Sequence, residues 1–300
     1  AQEGKQAVLP QGGTASAAML CERHRVAPDL DAWVIPKFAQ ETLGFQPGEL
    51  QSQLEARYPV MAEGDAIEPG RVQWVDGTNA ALKYRGNVLK RAKVWLQTGE
   101  PEEVGYRVYG YTGWQYAVLP ATASIDRCPE LRPVVAAYNS WLAASGLKVP
   151  EANHFIVTKY VDGAHGIGWH FDKPKDVDAK SLITIVKTGA CGRPFQLRWR
   201  AKEQEKEQPF FSAVLAPGTA VVMSMEANLR TQHCVPFVED AGPSGSIVFR
   251  SITRTLEASK LEKALAARRA KRPRCDSIDA AVAEVEDEES QPTSISKLRR

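Results

Sequence analysis

The feature that most constrains the fold is a series of short β-branched runs in the second half of the chain. The runs cover residues 154–161, 181–187, 194–200, 219–225 and 246–254. No segment between them has the apolar period of a crossover helix, which a parallel sheet would need. The pattern therefore favours an antiparallel double-stranded β-helix, or jelly roll.

One clear helix precedes these runs and makes the predicted fold class α+β. Between Asp126 and Ala144 the apolar residues recur at three- and four-residue steps, and Gly146 stands where a C-terminal cap belongs. We expect a jelly-roll core with flanking helices.

The composition changes at both ends of the chain. Residues 1–30 are rich in Ala, Gly and Gln and are predicted to be a flexible segment, followed by one domain over 31–256. Residues 257–300 are predicted to be a charged tail, helical at first and then disordered.

Length and composition limit the class of protein. The 300 residues, 43% of them apolar and 25% charged, suffice for one large core. There is no apolar run of membrane-spanning length and no secretory start, so we expect an intracellular protein without membrane contact. We also expect a monomer. The five cysteines are scattered without a CxxC pair, which predicts reduced thiols.

The net charge of +2 gives no general case for binding nucleic acid. A local basic cluster, Arg268 to Arg274, matches a nuclear-localisation signal or a nucleic-acid patch. It predicts a nuclear protein, with a merely solvated charged face as the alternative.

A metal site is predicted from three residues. His170 and Asp172 alternate along an extended chain, so they project from one face about 6 to 7 Å apart. His233 is the one histidine downstream of them and is the candidate third ligand. Two histidines and a carboxylate form the facial triad of non-haem Fe(II) oxygenases. The H-x-D triplet alone is a weak signal, and an N-capping or surface pair is the alternative.

The surroundings of the triplet carry a family resemblance. The segment Asn153 to Asp172, with its strand, Tyr160, the Asp162-Gly163 turn and the Gly168-Trp169-His170-Phe171-Asp172 end, resembles the iron-binding segment of AlkB-like dioxygenases. Further landmarks follow at matching distances, and the resemblance covers roughly residues 80–254. They are Gly189-Ala190-Cys191, Phe195-Gln196-Leu197-Arg198, Pro217-Gly218-Thr219-Ala220, Met223-Ser224, Gln232-His233 and Ile247-Val248-Phe249-Arg250.

The resemblance implies catalytic iron, O2 and a 2-oxo acid, with His170, Asp172 and His233 as the metal ligands. It also implies that Tyr160 and Arg250 bind 2-oxoglutarate. The family's other arginine on the last strand is replaced by Ser244, and Thr158 stands where the family has asparagine. By strand alternation Arg254 shares a face with Arg250 and could supply the missing carboxylate clamp.

Two cosubstrates therefore remain open. An algal relative of the TET/JBP enzymes uses ascorbate to modify 5-methylcytosine, and the loss of an arginine clamp would permit that change. We expect 2-oxoglutarate first and ascorbate as its rival.

The expected partner is nucleic acid, with DNA preferred. Basic residues interleaved with Tyr84 and Trp95 occupy 83–93, and aromatic residues crowd 106–116, within a recognition region of about 80–116. These aromatic residues could equally pack a core. The candidate substrate-binding residues are Arg85, Lys90, Arg91, Tyr111, Trp114 and Asp176.

The expected substrate is a methylated base of the 5-methylcytosine, N6-methyladenine or thymine type. Repair-type relatives carry a base-contacting acidic residue just beyond the triad, where Lys173-Pro174 stands here. Asp176 or Asp178 would have to act instead. One alternative is a dioxygenase that hydroxylates a protein or small molecule, and another is an inactive nucleic-acid-binding module.

Overall fold

The protein is built on two sheets that face each other. The computed structural model describes residues 23–61, 67–75, 83–84, 87–88, 91–109, 119–200 and 208–271. Three helices, at Phe38–Glu41, Pro47–Arg57 and Arg132–Ala144, pack on the outer side of the larger sheet.

The strands are, in chain order, β1 His24–Arg25, β2 Ala32–Ile35, β3 Lys83–Tyr84, β4 Asn87–Val88, β5 Ala92–Gln97, β6 Tyr106–Arg107, β7 Thr122–Ser124, β8 His154–Tyr160, β9 Ile167–His170, β10 Leu182–Thr188, β11 Arg193–Trp199, β12 Phe211–Leu215, β13 Ala220–Ser224, β14 Thr231–Val235, β15 Ser244–Arg250 and β16 Thr255–Leu256. The helices are α1 Phe38–Glu41, α2 Pro47–Arg57, α3 Pro101–Val104, α4 Arg132–Ala144, α5 Met225–Arg230 and α6 Ala258–Lys271, with 3₁₀ turns at Leu119–Ala121 and Ile125–Arg127.

The larger sheet has the order β1-β2-β13-β10-β15-β8-β5-β7, and the smaller has β12-β11-β14-β9. All of these pairs are antiparallel except β5 with β7. From β8 to β15 the chain passes repeatedly between the sheets, with β8, β10, β13 and β15 in the larger one. The predicted α+β class, with large antiparallel sheets, is confirmed.

Side-chain alternation gives the larger sheet two different faces. On β10, Thr184 faces outward and its hydroxyl hydrogen-bonds with the Tyr138 hydroxyl of α4 at 2.7 Å. Ile183 faces inward and packs in one cluster with Phe195 and Leu197 of the smaller sheet. The functional side chains project from this inner face.

The predicted helix ends where expected but begins later. It starts at Arg132 rather than Asp126, because Pro129 disfavours helical geometry at Cys128 and the preceding residues form a separate 3₁₀ turn. It ends at Ala144, and Gly146 adopts φ +71° as a C-terminal cap requires.

Each of the five predicted runs lies on a strand, namely β8, β10, β11, β13 and β15. The largest difference is at β15, which ends at Arg250, four residues before the predicted end. Three strands of the smaller sheet, β9, β12 and β14, did not stand out as runs because each mixes apolar residues with polar or partly exposed ones.

The first part of the tail is packed on the domain. β16 pairs with β6, and Leu261 of α6 is buried against Tyr106, Val108 and Leu119. Residues 1–22 and 272–300 lie outside the described residues.

No helix among the described residues is long and apolar enough to cross a membrane. The cysteines that the structure describes, Cys128, Cys191 and Cys234, are free thiols.

Candidate metal centre and cosubstrate pocket

The structure brings the three candidate ligands together between the two sheets. His170 is the last residue of β9, and its Cα pairs with that of His233 on β14. The two imidazole centroids are 4.2 Å apart. One ligand atom from each of His170, Asp172 and His233 lies within 4.8 Å of the others.

Asp172 follows β9 in irregular chain, and a buried asparagine fixes its backbone. Asn228 of α5 donates from Nδ2 to the Asp172 carbonyl at 2.7 Å, and its Oδ1 accepts from the Asp172 N–H at 2.8 Å. Asn228 is fully buried. Sequence reasoning missed it, because the two residues are 56 positions apart and no local pattern marks the pair.

A buried arginine compensates the charge of Asp172. Burial by itself raises the pKa of the Asp172 carboxyl, but the positive charge of Arg250, together with the two nearby imidazoles and a hydrogen bond from Tyr109, outweighs it and the pKa falls to about 2. Arg250 Nη2 lies 3.2 Å from Asp172 Oδ2, and both side chains are buried. The guanidinium also stacks over Tyr109, with Cζ 4.0 Å from the ring centroid.

Both histidines are held in the neutral form that binds metals. Burial lowers the pKa of His170, and burial with the neighbouring imidazole lowers the pKa of His233 to about 3. His170 Nδ1 lies 2.8 Å from the Gly168 carbonyl, which favours the tautomer with Nε2 free to coordinate. His233 Nδ1 is buried and has no hydrogen-bond partner among the described residues.

These donors fit a divalent transition metal. Two neutral imidazoles and one ionised carboxylate match the ligand set of non-haem iron in both type and charge. Arg250 and Asn228 supply the outer contacts that such ligands usually need.

The second group of inward-facing residues lies further along the larger sheet. Tyr160 of β8 is buried, with the Lys187 ammonium 5.5 Å and the Arg193 guanidinium carbon 5.6 Å from its ring centroid. Ser244, which stands in place of the family's arginine, pairs with Tyr160 across the strands. We call Lys187, Arg193, Tyr160 and Ser244 the cationic end, and Arg250 with the three candidate ligands the triad end.

Of the residues predicted to bind cosubstrate, the structure places Arg250 at the triad end and Tyr160 at the cationic end. Arg254 lies beyond the end of β15, and its Nη1 pairs with Asp176 Oδ1 at 3.2 Å. Asp176, a candidate for contacting the base, is itself buried. The structure therefore joins Arg254 and Asp176 to each other.

The predicted nucleic-acid residues are only partly described. Arg85, Lys90, Tyr111 and Trp114 lie outside the described residues. Arg91 is described, and its Nη1 donates to the Gly166 carbonyl at 2.8 Å, in the loop that leads into β9.

The position of Trp95 differs from the one predicted from sequence. We expected it beside a stacking surface, but it packs in the core with Val75, Ala121 and Ile156. It alternates with buried neighbours on β5 and therefore faces the inside of the sheet pair.

Two stacked cation–aromatic pairs flank the triad and were not predicted. The guanidinium carbon of Arg198 lies 4.4 Å from the Trp169 ring centroid, and that of Arg200 lies 4.1 Å from the Phe171 ring centroid. Trp169 and Phe171 are the chain neighbours of His170. The signal was present in the alternation of the segment, since residues beside inward-facing ligands point outward.

Comparison with known proteins gives partial matches. No protein-family model matches the sequence. The human DNA oxidative demethylase ALKBH2 is 29% identical over 115 residues, which cover 37% of this chain and 44% of the relative. The bovine (Bos taurus) DNA oxidative demethylase ALKBH2 is 28% identical over 113 residues, 36% of this chain and 40% of the relative. The chain thus spans less than half the length of these curated relatives, and the predicted resemblance to AlkB-like proteins is confirmed.

One solved structure is also similar. It is an oxidoreductase of the 2OG-Fe(II) oxygenase family from Burkholderia pseudomallei, with a TM-score of 0.42 and 12% identity. The match covers 79% of this chain and 96% of that one.

Proposed function

We propose that the chain is an Fe(II)-dependent dioxygenase that oxidises a methylated base in DNA, with 2-oxoglutarate as cosubstrate. The observation that carries the proposal is the convergence of His170, Asp172 and His233 within 4.8 Å between two sheets. The similarity to proteins described as DNA oxidative demethylases supports it.

The order of the strands supports a double-stranded β-helix as the scaffold. In such a barrel the chain passes back and forth between two facing sheets, as it does here from β8 to β15 apart from the β11–β12 hairpin, which stays in the smaller sheet. Two strands of the smaller sheet, β9 and β14, then hold a ligand each at neighbouring positions.

The metal and its cosubstrate would bind at the triad end. His170, Asp172 and His233 would hold Fe(II), which with O2 and a 2-oxo acid supplies the oxidant for an inert C–H bond. Arg250 keeps Asp172 ionised and oriented, and Asn228 fixes its backbone. The chain's further task is to hold the substrate methyl group beside the metal and to exclude water.

A nucleic-acid substrate is supported by flat rings and positive charges on the outward-facing side of the segment that carries the ligands. Trp169 with Arg198 and Phe171 with Arg200 lie there, beside His170 and Asp172 in the chain. For a base extruded from its strand into the site, such cations suit the flanking phosphates and such rings suit stacking of neighbouring bases. A dioxygenase acting on a small molecule would not need this combination.

The proposed bases are 5-methylcytosine, N6-methyladenine and thymine. The residues after the triad support this range over alkylation lesions, since Lys173-Pro174 replaces the expected acidic residue and Asp176 is engaged by Arg254. Nuclear localisation remains a prediction from the cluster Arg268 to Arg274, and a monomeric state remains a prediction as well.

The test is anaerobic titration of the protein with Fe(II) and 2-oxoglutarate, followed by aerobic turnover of oligonucleotides that carry each candidate base. Mass analysis should show oxidation of the base together with succinate formation, and His170→Ala should show neither. Binding of both ligands without turnover of any base would favour hydroxylation of a protein or small molecule. Absence of metal binding would favour an inactive nucleic-acid-binding module.

A further inference from the structure

The inner face of the larger sheet carries a buried lysine that the metal site does not use. Lys187 lies on β10, and its Cα pairs with that of Ser246 on β15. Ile183 and Lys187 share a face of β10 by alternation, and Ile183 packs against the smaller sheet. The Lys187 side chain therefore points into the space between the sheets, where it is 6% exposed.

No carboxylate compensates this lysine among the described residues. Its Nζ donates to the Gly245 carbonyl at 2.8 Å, and the positive charge that acts on it is another cation, Arg193. Arg193 in turn donates to the carbonyls of Asp162, Gly163 and His165. Burying an ammonium group without an acid is costly, so such a position indicates a ligand with negative charge.

The hydrogen-bonding groups around Lys187 suit a carboxylate. Ser244 is 2% exposed, and its hydroxyl has no hydrogen-bond partner among the described residues. Burial raises the pKa of the Tyr160 phenol, so its O–H stays a donor. An ammonium, a hydroxyl and a phenol thus line one buried spot beside the place where the family's arginine is missing.

The spacing from the triad end suits a diacid. Arg250 and Ser246, the strand partner of Lys187, share the inner face of β15 four residues apart, or about 13 Å. The long side chains of Arg250 and Lys187 shorten this gap from both ends. A 2-oxo diacid bound at the metal through its oxo-acid head could therefore extend its other carboxylate towards Lys187.

We propose that Lys187 of β10 replaces the arginine lost at Ser244 and clamps the distal carboxylate of 2-oxoglutarate, with Tyr160 and Ser244 as the accompanying hydrogen-bond donors. This assignment rests on the proposed 2-oxoglutarate dependence. It also favours 2-oxoglutarate over ascorbate, because ascorbate has no carboxylate to neutralise the buried ammonium. The cation that binds the distal carboxylate thus comes from β10 instead of β15, while it occupies the same part of the pocket.

The test measures binding, not turnover. The anaerobic protein with Fe(II) is titrated with 2-oxoglutarate by calorimetry and by the visible absorption of the chelate. Lys187→Met should weaken binding about 10- to 100-fold, the loss of a charge-assisted hydrogen bond. Lys159→Met is the matched control, since Lys159 belongs to the adjoining part of the sheet but pairs with Glu55 on the outer side. It should bind as the wild type does.

A second ligand isolates the distal carboxylate. 2-Oxopentanoate has the same oxo-acid head and carbon chain but ends in a methyl group. It should bind the wild type at least about tenfold more weakly than 2-oxoglutarate does, and Lys187→Met should not weaken it further. Loss of both ligands to the same extent in Lys187→Met would overturn the clamp.

A charge relocation completes the experiment. The double variant Lys187→Met with Ser244→Arg restores the cation on β15 and should recover most of the affinity for 2-oxoglutarate. If Lys187→Met does not fold, the affinities of the wild type for the two acids still test the proposal. Equal affinity for the two acids overturns the clamp alone, whereas Fe(II) binding without affinity for either acid overturns the proposed cosubstrate together with it.

Discussion

The triad end and the cationic end of the inner face differ in whether a carboxylate compensates the buried cation. At the triad end Arg250 is paired with Asp172 at 3.2 Å, so its charge is compensated within the folded chain. At the cationic end Lys187 contacts a carbonyl, and an aromatic ring lies 5.5 Å away. A compensated cation stabilises the fold and orients its partner, whereas an uncompensated one is kept at a cost in stability. This difference distinguishes Arg250, which stabilises the site, from Lys187, which we propose binds a ligand.

The largest effect is expected from removing a metal ligand. His170→Ala and Asp172→Ala should abolish Fe(II) binding and turnover, because each deletes one of three donors. Calorimetric titration with Fe(II) measures the first, and thermal unfolding shows whether the fold remains. Near-normal turnover under strict control of iron would show that the triad is not the catalytic centre.

The different roles of Arg250 and Lys187 can be tested by the free energies of unfolding of variants at the two positions. Arg250→Met leaves the Asp172 carboxylate buried without its cation, and should lower the free energy of unfolding by about 3 to 5 kcal/mol. Lys187→Met removes an uncompensated charge and should leave the free energy of unfolding of the ligand-free protein unchanged or raise it. Chemical denaturation of both variants without metal measures the two changes in the free energy of unfolding. A loss of similar size in Lys187→Met would show that this lysine is structural.

Asn228 is expected to act on the metal through Asp172. Asn228→Ala should weaken Fe(II) affinity about 10- to 100-fold, since outer contacts of this kind orient metal ligands. Asn139 offers a matched control, because it makes the same two hydrogen bonds to the backbone of Ala152, which is not a candidate metal ligand. Asn139→Ala should lose stability without losing metal affinity, and equal effects of both variants on affinity would contradict the positioning role.

The most gradual effect is a pH dependence of 2-oxoglutarate binding. Burial and the neighbouring Arg193 lower the pKa of Lys187 to about 7 in the ligand-free protein, and a bound carboxylate would raise it again. Affinity should therefore be constant below about pH 7 and fall above it, by up to about tenfold per pH unit. Binding isotherms between pH 6 and about 9 measure this slope.

The control for that slope must separate Lys187 from its neighbours. The groups that act on it are Arg193, Cys191 and the Tyr160 ring, and burial raises the pKa of Tyr160 out of this range. Lys187→Met should abolish the slope and Cys191→Ser should retain it. The reverse result would assign the titration to the thiol.

Much of the sheet could be predicted from sequence because its strands are buried on both faces and rich in β-branched residues. β10 and β13 are examples, and both were located to within one residue. The helix α4 was located for the same reason, since its apolar stripe faces the sheet. The short strands of the smaller sheet could not be found in this way, because one face of each carries polar or partly exposed residues.

The residues of the site also differ in how far the local sequence could predict their roles. The triad could be predicted because His170 and Asp172 are close in sequence and the resemblance supplied the rest. Asn228 and Lys187 could not, because their roles depend on pairings 56 and 58 residues away. Arg254 was expected on the strand with Arg250, but β15 ends before it and Asp176 engages it instead.

The packing of α6 has a practical consequence for shortening the protein. A version ending at residue 256, where composition suggests that the domain stops, would strip Leu261 from Tyr106 and Leu119. It would also leave the short β16–β6 pair at a frayed terminus next to Arg107. Trimming should therefore spare the first two turns of this helix, and any loss of solubility in a shorter version would reflect newly wetted apolar surface rather than damage to catalysis.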